Sequence, residues 1–349
     1  MIPPDLPFAI DLHAKFIINM IIYRGVQVIR KGVQVTIATG HVSVQKAIVV
    51  EWPTLALVVV IYGGWASLTF FASHLSPFIT IPLGAILITW HSSLQHEILH
   101  GHPTRWRAIN RALAVPPLSL WLPYELYRRA HLSHHRDERL TDPLDDPESY
   151  YLTKEDWQAL GPLGRAAVRF QTLFVGRMLI GPAWAIGRFI KGELMLLLKG
   201  DTKHLGIWLR HGIGVALVLI WIKFICDLPV WFYCLCIVYP GTSLLLIRSF
   251  AEHRAAERVA ERTAIVENAP VLGVLFLFNN LHAAHHAEPT LPWYEIPAWY
   301  RAHRERLIAE NDGHLYDGYF DVIRRYLFRP HHWPEHPTNR APRADGSKP

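Results

Sequence analysis

Four long apolar stretches stand out against the polar remainder of the chain. A helix that spans a membrane needs about 20 mostly apolar residues, because each residue adds about 1.5 Å to a path of roughly 30 Å. Only a few residues separate the first stretch from the second and the third from the fourth, so the pattern predicts two tight helical hairpins in a membrane. The stretches run from about Trp52 to Ala72, Pro77 to Ser93, Leu205 to Ile225 and Val230 to Ile247.

The segments outside these stretches mix polar and apolar residues. Between the hairpins, stretches such as Trp157–Leu194 are typical of amphipathic helices on a membrane surface. The later apolar run Val271–Phe278 is too short to span. We predict an all-α integral membrane protein with four transmembrane helices and a cytoplasmic helical cap. Its parts are an amino-terminal segment (residues 1–51), a membrane domain (52–329) and a disordered tail rich in Pro, Arg and His (330–349).

Composition agrees with membrane insertion and argues against a nucleic-acid partner. Hydrophobic residues make up 51% of the 349 residues, which is high for a soluble protein. The formal net charge is +6, but the basic residues flank the apolar stretches and form no single dense stripe. Cys226, Cys234 and Cys236 lack the spacing of a metal site and are expected to be free thiols. The alternative of a soluble protein that buries two helical hairpins remains open.

Charge in the connecting segments predicts the orientation. The two tight turns contain no Lys or Arg, and Met1–Leu12 lacks the basic start and apolar core of a removable signal peptide. Because cytoplasmic loops are enriched in Lys and Arg, we expect both termini and the large middle segment to face the cytoplasm, across the inner membrane if the protein is bacterial. Basic residues of the other flanks include Arg107, Arg128, Arg129, Arg248 and Arg254.

Histidines cluster near the predicted cytoplasmic ends of the helices. One group has two histidines four residues apart, and two further groups share the spacing H-x-x-H-H, so each group lies on one face of a helix. A single histidine follows the fourth apolar stretch. The nine candidate metal ligands are His96, His100, His131, His134, His135, His253, His282, His285 and His286.

Nine imidazoles are too many for one metal ion, so the sequence predicts two ions. Neutral imidazole suits iron, zinc, copper and nickel, and an unliganded cluster would be costly to desolvate. His91 and His102 lie beside the first group and are further candidates. On its own, H-E-x-x-H also matches a zinc metalloprotease with Glu97 as general base, but this alternative explains neither H-x-x-H-H group.

Carboxylates near the histidines are candidates to hold the second ring nitrogen of each ligand. We assign Glu97 and Glu252 as the supporting catalytic carboxylates, because each is adjacent to a predicted ligand. The acidic run Asp142–Glu148 is also typical of a solvated loop with prolines at its turns. The other candidates are Asp137, Glu138, Asp142, Asp145, Asp146 and Glu288.

The two hairpins and the histidine boxes at 96–100, 131–135 and 282–286, with His253, resemble the membrane fatty-acid desaturase superfamily. This superfamily includes acyl desaturases, lipid hydroxylases and carotenoid ketolases. The resemblance implies a non-haem di-iron centre, dioxygen as co-substrate, and hydrogen abstraction from a lipid chain in a narrow tunnel. It favours a fatty acyl desaturase, with a hydroxylase or ketolase that acts on a polar lipid as the alternative.

Two departures from that superfamily affect the prediction. Ser249 stands where acyl-CoA desaturases often have an Asn four residues before the extra histidine, which puts a water-bridging role there in doubt. The chain also lacks a cytochrome-b5-like segment, so we expect a separate electron donor such as a ferredoxin. The lipid entrance is expected near the basic and aromatic residues Arg128, Arg129, Trp293, Tyr294 and Trp299, although aromatic belts commonly lie at membrane interfaces.

A histidine-rich transporter or metal-handling protein is the competing class of function. Such a protein places polar residues near the middle of its spans. Here the predicted spans are apolar through their middles and the histidines lie at their ends. This arrangement favours an enzyme that faces the cytoplasm.

Overall fold

The computed structural model describes residues 26–30, 33–38, 41–46, 50–136 and 139–337. The chain divides into two compact units, residues 1–51 and 52–349. The first unit contains an antiparallel sheet of three strands, in which Val alternates with polar residues, as is typical of strands. This sheet was not predicted. Its strands are β1 (Val26–Arg30), β2 (Val33–Ala38) and β3 (His41–Lys46). Residues Met1–Leu12, where no signal peptide is expected, lie outside the described residues.

The second unit is helical, apart from two short parallel strands, β4 (Ile265–Val266) and β5 (Leu315–Tyr316). Its helices are α1 (Trp52–Phe70), α2 (Pro77–Leu99), α3 (Arg107–Ala114), α4 (Tyr124–His134), α5 (Lys154–Ala159), α6 (Pro162–Gln171), α7 (Phe174–Leu198), α8 (Leu205–Ile225), α9 (Val230–Glu252), α10 (Pro270–Leu275), α11 (His282–Ala287), α12 (Ile296–Glu310) and α13 (Gly318–Tyr326).

The four predicted spans are confirmed as α1, α2, α8 and α9, each long and apolar enough to cross a membrane. Two of them run past their predicted ends. Helix α2 continues beyond Ser93 to Leu99, and α9 continues beyond Ile247 to Glu252. Arg248, interpreted from the sequence as a flanking charge, is therefore a buried residue of α9. The polar residues after each apolar stretch remain helical because neighbouring elements of the cap pack around them.

Helix α2 packs between α1 and α9, and two glycines allow the close approach to α9. A Cβ added at Gly241 would lie 2.6 Å from Ile88 Cβ, and one added at Gly84 would lie 2.8 Å from Ile237 Cγ2. Small residues at such positions bring helix backbones into contact in a membrane. The fully buried Tyr233 of α9 donates to Leu118 O at 2.6 Å and so connects this helix to the segment between α3 and α4.

The segment predicted to hold surface helices contains α6 and α7. Helices α6 and α7 together are long and apolar enough to span, and they meet at an angle of 118°. The reversal requires Gly176, since a Cβ there would lie 1.7 Å from Phe170 O. Helix α7 packs against α9, where Ser243 Oγ donates to Met178 O at 2.8 Å. By length and composition, the pair is therefore a candidate for a broken span or a re-entrant element, as well as for the predicted surface helices.

Residues 330–337 are packed against other parts of the second unit. His331 N donates to Thr172 O at 2.8 Å, and His336 N donates to Leu152 O at 3.0 Å. The predicted start of the tail at Pro330 falls within this packed segment. Residues 338–349 lie outside the described residues.

Candidate metal centre

Four elements bring the nine predicted ligands to one end of the helical unit. The last turn of α2 carries His96, and His100 follows directly as its carboxy-terminal cap. Helix α4 and its cap carry the second box, and α11 carries the third. His253 is the first residue after α9, where the backbone becomes extended. Because i, i+3 and i+4 share one helical face, each box presents its rings to the same side.

The nitrogen atoms of the nine imidazoles form two groups, each within 4.8 Å of one another. In the first group, His135 Nε2 lies 2.9 Å from His131 Nε2 and 3.0 Å from His285 Nε2. Its five members are His96, His100, His131, His135 and His285.

The second group comprises His134, His253, His282 and His286. His253 Nε2 lies 3.1 Å from His134 Nε2 and 2.9 Å from His282 Nε2. The groups are adjacent, since the rings of His135 and His286 stack with centroids 4.5 Å apart. The structure thus brings together all nine predicted ligands as two neighbouring clusters.

Acceptors hold the Nδ1 atoms of these rings. His131 Nδ1 donates to Glu148 at 3.0 Å, and His134 Nδ1 donates to Asp146 at 2.9 Å. His282 Nδ1 donates to Asn279 Oδ1 at 3.0 Å and lies 3.2 Å from Glu252. His253 Nδ1 faces the carbonyl of Arg262 at 3.3 Å. Because carboxylates and carbonyl oxygens only accept, the ring protons lie on Nδ1 and leave Nε2 with a lone pair.

The Nε2 contacts of the second group therefore bring lone pairs face to face. If His134 Nε2 carried a proton, it could donate to His253 Nε2 and this contact would become a hydrogen bond. The contact between the Nε2 atoms of His253 and His282 would still bring two lone pairs together. Two imidazole nitrogens bound at about 2.1 Å and a right angle to one ion lie about 3 Å apart, which matches the observed spacing. His100 Nε2 in the first group is likewise buried without a hydrogen-bond partner among the described residues. Each group fits a metal ion.

Comparison with known families agrees with this arrangement. The family model described as fatty acid desaturase matches residues 72–319, more than two thirds of the chain, and this range includes all nine histidines. The chain belongs to the fatty acid desaturase family. No individual curated protein matches it. Family membership and the four apolar helices make it a membrane protein with a desaturase- or hydroxylase-type function.

In this member of the desaturase family, burial keeps most of the clustered imidazoles neutral, and acidic side chains beside the second group favour a positive charge there. Burial, followed by the charge of neighbouring histidines, lowers the pKa of His282 and His285 well below the ordinary value. Burial also lowers the pKa of His134, but Glu148 and Asp146 outweigh it and raise the pKa to about 9. A neutral ring is the form that binds metals, and a negative field around the second group stabilises positive charge there.

The two assigned carboxylates occupy different surroundings. Glu252 is buried between Arg248, at 2.8 Å, and His282, at 3.2 Å, so it lies beside the second group as expected. Glu97 is also buried, but it accepts from Trp293 N at 3.0 Å and lies 3.7 Å from His102.

Several other sequence candidates lie apart from the two clusters. His91 and His102 belong to neither group, and the hydroxyl of Ser249 faces that of Tyr150 at 3.3 Å. Asp137 and Glu138 lie outside the described residues.

Glu148 and Asn279 were not among the supporting residues named from the sequence, whereas Asp146 was one of the further candidate carboxylates and does contact His134. Asp146 and Glu148 were two among many acidic residues of a loop, and their pairing with α4 depends on how that loop folds back. Asn279 contacts both groups, since its Nδ2 also lies 3.3 Å from His96 Nε2. Its position three residues before His282 on a buried turn is the one local signal that could have indicated it.

A cavity of about 300 Å³ extends to the second histidine group. Its walls are mostly apolar, and His134, Glu252 and His253 form one side. A space of this size accommodates part of a lipid chain. None of the five residues expected at the entrance lines it; Trp293 instead donates through Nε1 to Thr54 at 3.2 Å, and Trp299 stacks on His303.

Proposed function

We propose that the chain is a dioxygen-dependent fatty acyl desaturase with two iron ions, one in each histidine group. The observation that carries the proposal is the pair of Nε2 contacts at His253, where lone pairs face one another beside an apolar cavity. A cation resolves this conflict, and an apolar cavity at the same place provides room for a lipid. The desaturase family supports iron as the cation and lipid as the substrate.

Bound iron supplies the activation of dioxygen and the abstraction of hydrogen from an unactivated C–H bond. The overall reaction is –CH2–CH2– + O2 + 2 electrons + 2 H⁺ → –CH=CH– + 2 H2O. Two electrons must therefore reach the site, and we propose a separate donor such as a ferredoxin. Hydroxylation uses the same dioxygen and electrons but leaves one oxygen atom on the carbon chain, so it is the alternative outcome at this site.

The protein's own residues prepare the site in three ways. Asp146, Glu148 and Glu252 hold the ring protons on Nδ1 and so aim Nε2 inward. Their negative charges offset part of the charge of the ions. The apolar cavity walls exclude water and hold the lipid chain next to the histidines.

The orientation of the site is part of the proposal. The histidines lie at the ends of α2 and α9 that are opposite the tight turns, which contain neither Lys nor Arg. By the positive-inside rule, these turns face away from the cytoplasm and the histidines face it. A cytoplasmic electron donor would then have access to the cap.

Metal content and lipid products test the proposal together. Detergent-purified wild type and the variants His135→Ala and His285→Ala are compared with His303→Ala, which removes a histidine of α12 that packs on Trp299. We expect about two irons per chain in wild type and His303→Ala, and a loss of iron in the other two variants. A dioxygen-dependent product that lacks two hydrogens supports a desaturase, whereas one that gains an oxygen identifies a hydroxylase. Bound zinc, or full iron in all variants, contradicts the di-iron proposal.

A further inference from the structure

A buried arginine on the cavity wall pairs with no acidic side chain in the part of the chain that the structure describes. Arg177, in the first turn of α7, is 2% exposed and lines the cavity that reaches His134 and His253. Its Nε donates to Gln171 O at 3.2 Å, and its Nη1 is buried with no hydrogen-bond partner in the described ranges. Among the described residues, no carboxylate forms an ion pair with this guanidinium.

The other charged groups of the cavity do not neutralise Arg177. Asp146 and Glu148 are engaged by His134 and His131, and Glu252 is engaged by Arg248. Two further groups on the same wall, Arg188 and His332, are basic or neutral. The guanidinium instead rests on aromatic rings, 3.7 Å from the centroid of Tyr150 and 5.6 Å from that of Phe250. Such stacking offsets only part of the cost of removing the charge from water.

The position of Arg177 connects it to the metal centre. The ring beneath it belongs to Tyr150, whose hydroxyl contacts Ser249. Ser249 precedes His253 by four residues, which is about one helical turn. The unpaired cation and the second histidine group therefore border the same cavity. Apolar side chains, including Leu122, Leu126, Phe189 and Leu246, supply the remaining wall.

We propose that Arg177 binds the oxyanion of a lipid head group, a carboxylate or phosphate, while the acyl chain lies against the apolar wall. A planar guanidinium matches both oxyanions with two parallel hydrogen bonds. The substrate is thus an anionic lipid that carries its charge inside the protein. This inference rests on the proposed lipid oxidation and adds the chemical class of the head group.

Ligand binding tests the assignment without turnover. Iron-loaded protein in uncharged detergent is titrated with palmitic acid and with its uncharged methyl ester, and the fluorescence of Trp121 and Trp184 in the cavity wall reports binding. We expect wild type to bind the acid about 10- to 100-fold more tightly than the ester, as a charge-assisted hydrogen bond allows. Arg177→Gln should bind both alike, and Arg177→Lys should keep an intermediate preference.

The matched control is Lys191→Gln, which removes a positive charge from the exposed face of α7 outside the cavity wall and should keep the full preference. The melting temperature of the ligand-free protein gives a second measurement. A structural Arg177 would stabilise the fold, whereas an unpaired buried charge kept for a ligand predicts that Arg177→Gln melts no lower than wild type. Equal binding of acid and ester by wild type, or a preference retained in Arg177→Gln, overturns the inference.

Inorganic phosphate distinguishes a free anion from a lipid head group. Phosphate alone could raise the melting temperature of wild type but not of Arg177→Gln. If palmitate also binds no better than its ester, the site holds a free anion and the assignment of a lipid ligand is wrong. Arg177-dependent palmitate binding without any oxidised product would contradict the proposed function alone. Oxidation of a neutral lipid that is unaffected in Arg177→Gln would contradict only the present inference.

Discussion

The hydrogen bonds of Asp146 allow one histidine group to be weakened selectively. Its carboxylate is 2% exposed, so water cannot replace a lost partner. Oδ1 accepts from His134 Nδ1 and from Glu148 N, each at 2.9 Å, and Oδ2 accepts from Thr141 N at 2.8 Å. An Asn at this position has one acceptor oxygen and one NH2 group. In either orientation of the amide, its NH2 faces at least one N–H donor.

The expected loss of metal affinity in Asp146→Asn follows from this clash between the amide NH2 and an N–H donor. A buried donor left without an acceptor costs about 1–3 kcal/mol. Loss of an outer-shell partner of a ligating histidine lowers metal affinity about 10- to 100-fold. At about 1.4 kcal/mol per factor of ten, the two ranges agree. We therefore expect Asp146→Asn to weaken the second site by one to two orders of magnitude and the first site far less, because Asp146 is connected to the first site only through its hydrogen bond from Glu148 N.

The assay is iron per chain after equilibration with graded concentrations of a chelator, which separates the two sites by affinity. Asp145→Asn is the matched control, because this neighbouring carboxylate faces Arg139 at 3.8 Å. We expect one of two irons to be lost early in Asp146→Asn and both to be retained in the control. Equal weakening of both sites, or of neither, would refute the reasoning that each ion has its own supporting carboxylate.

Two further predictions concern stability. Gly241→Ala places a methyl group 2.6 Å from Ile88 Cβ and should lower the stability of the helical unit by about 1–3 kcal/mol, measured as a lower melting temperature. The control is Gly212→Ala, whose added methyl group would have no atom within 4 Å and should not lower the melting temperature. The hydrogen bond from Arg304 lowers the pKa of Glu267 from its ordinary 4.5, so this pair stabilises the fold above that pH and less as pH falls through the lowered value. Glu267→Gln should therefore flatten the fall in melting temperature below about pH 4.5, and an unchanged acid limb would contradict the role of the pair.

The parts of the structure that depend on local pattern were predictable. Apolar stretches of spanning length lie on the four helices, and the spacing of the histidines placed them on common helical faces. The ends of α2 and α9 were misjudged because hydropathy falls at His96 and Arg248, although packing in the cap keeps both segments helical. The bend between α6 and α7 depends on a contact at Gly176, and composition does not report contacts.

Residues that act through distant partners were harder to find. Asp146 and Asn279 gain their roles from rings that reach them through tertiary packing, and their neighbours in sequence give little sign of it. Arg177 was one of many basic residues near an apolar segment. What distinguishes it is that no carboxylate of the described residues pairs with it, and only three-dimensional packing reveals that.

The distribution of the ligands between helices also determines when the site can form. The first group takes its members from α2, α4 and α11, and the second takes its members from α4, α11 and the residue after α9. Each hairpin can enter the membrane as soon as its own two helices have been synthesised, but neither contains a complete ligand set. Residues 282–286 must emerge and dock before either histidine group is complete. A truncated or half-inserted chain therefore lacks a complete histidine group, so the candidate metal centre depends on completed assembly.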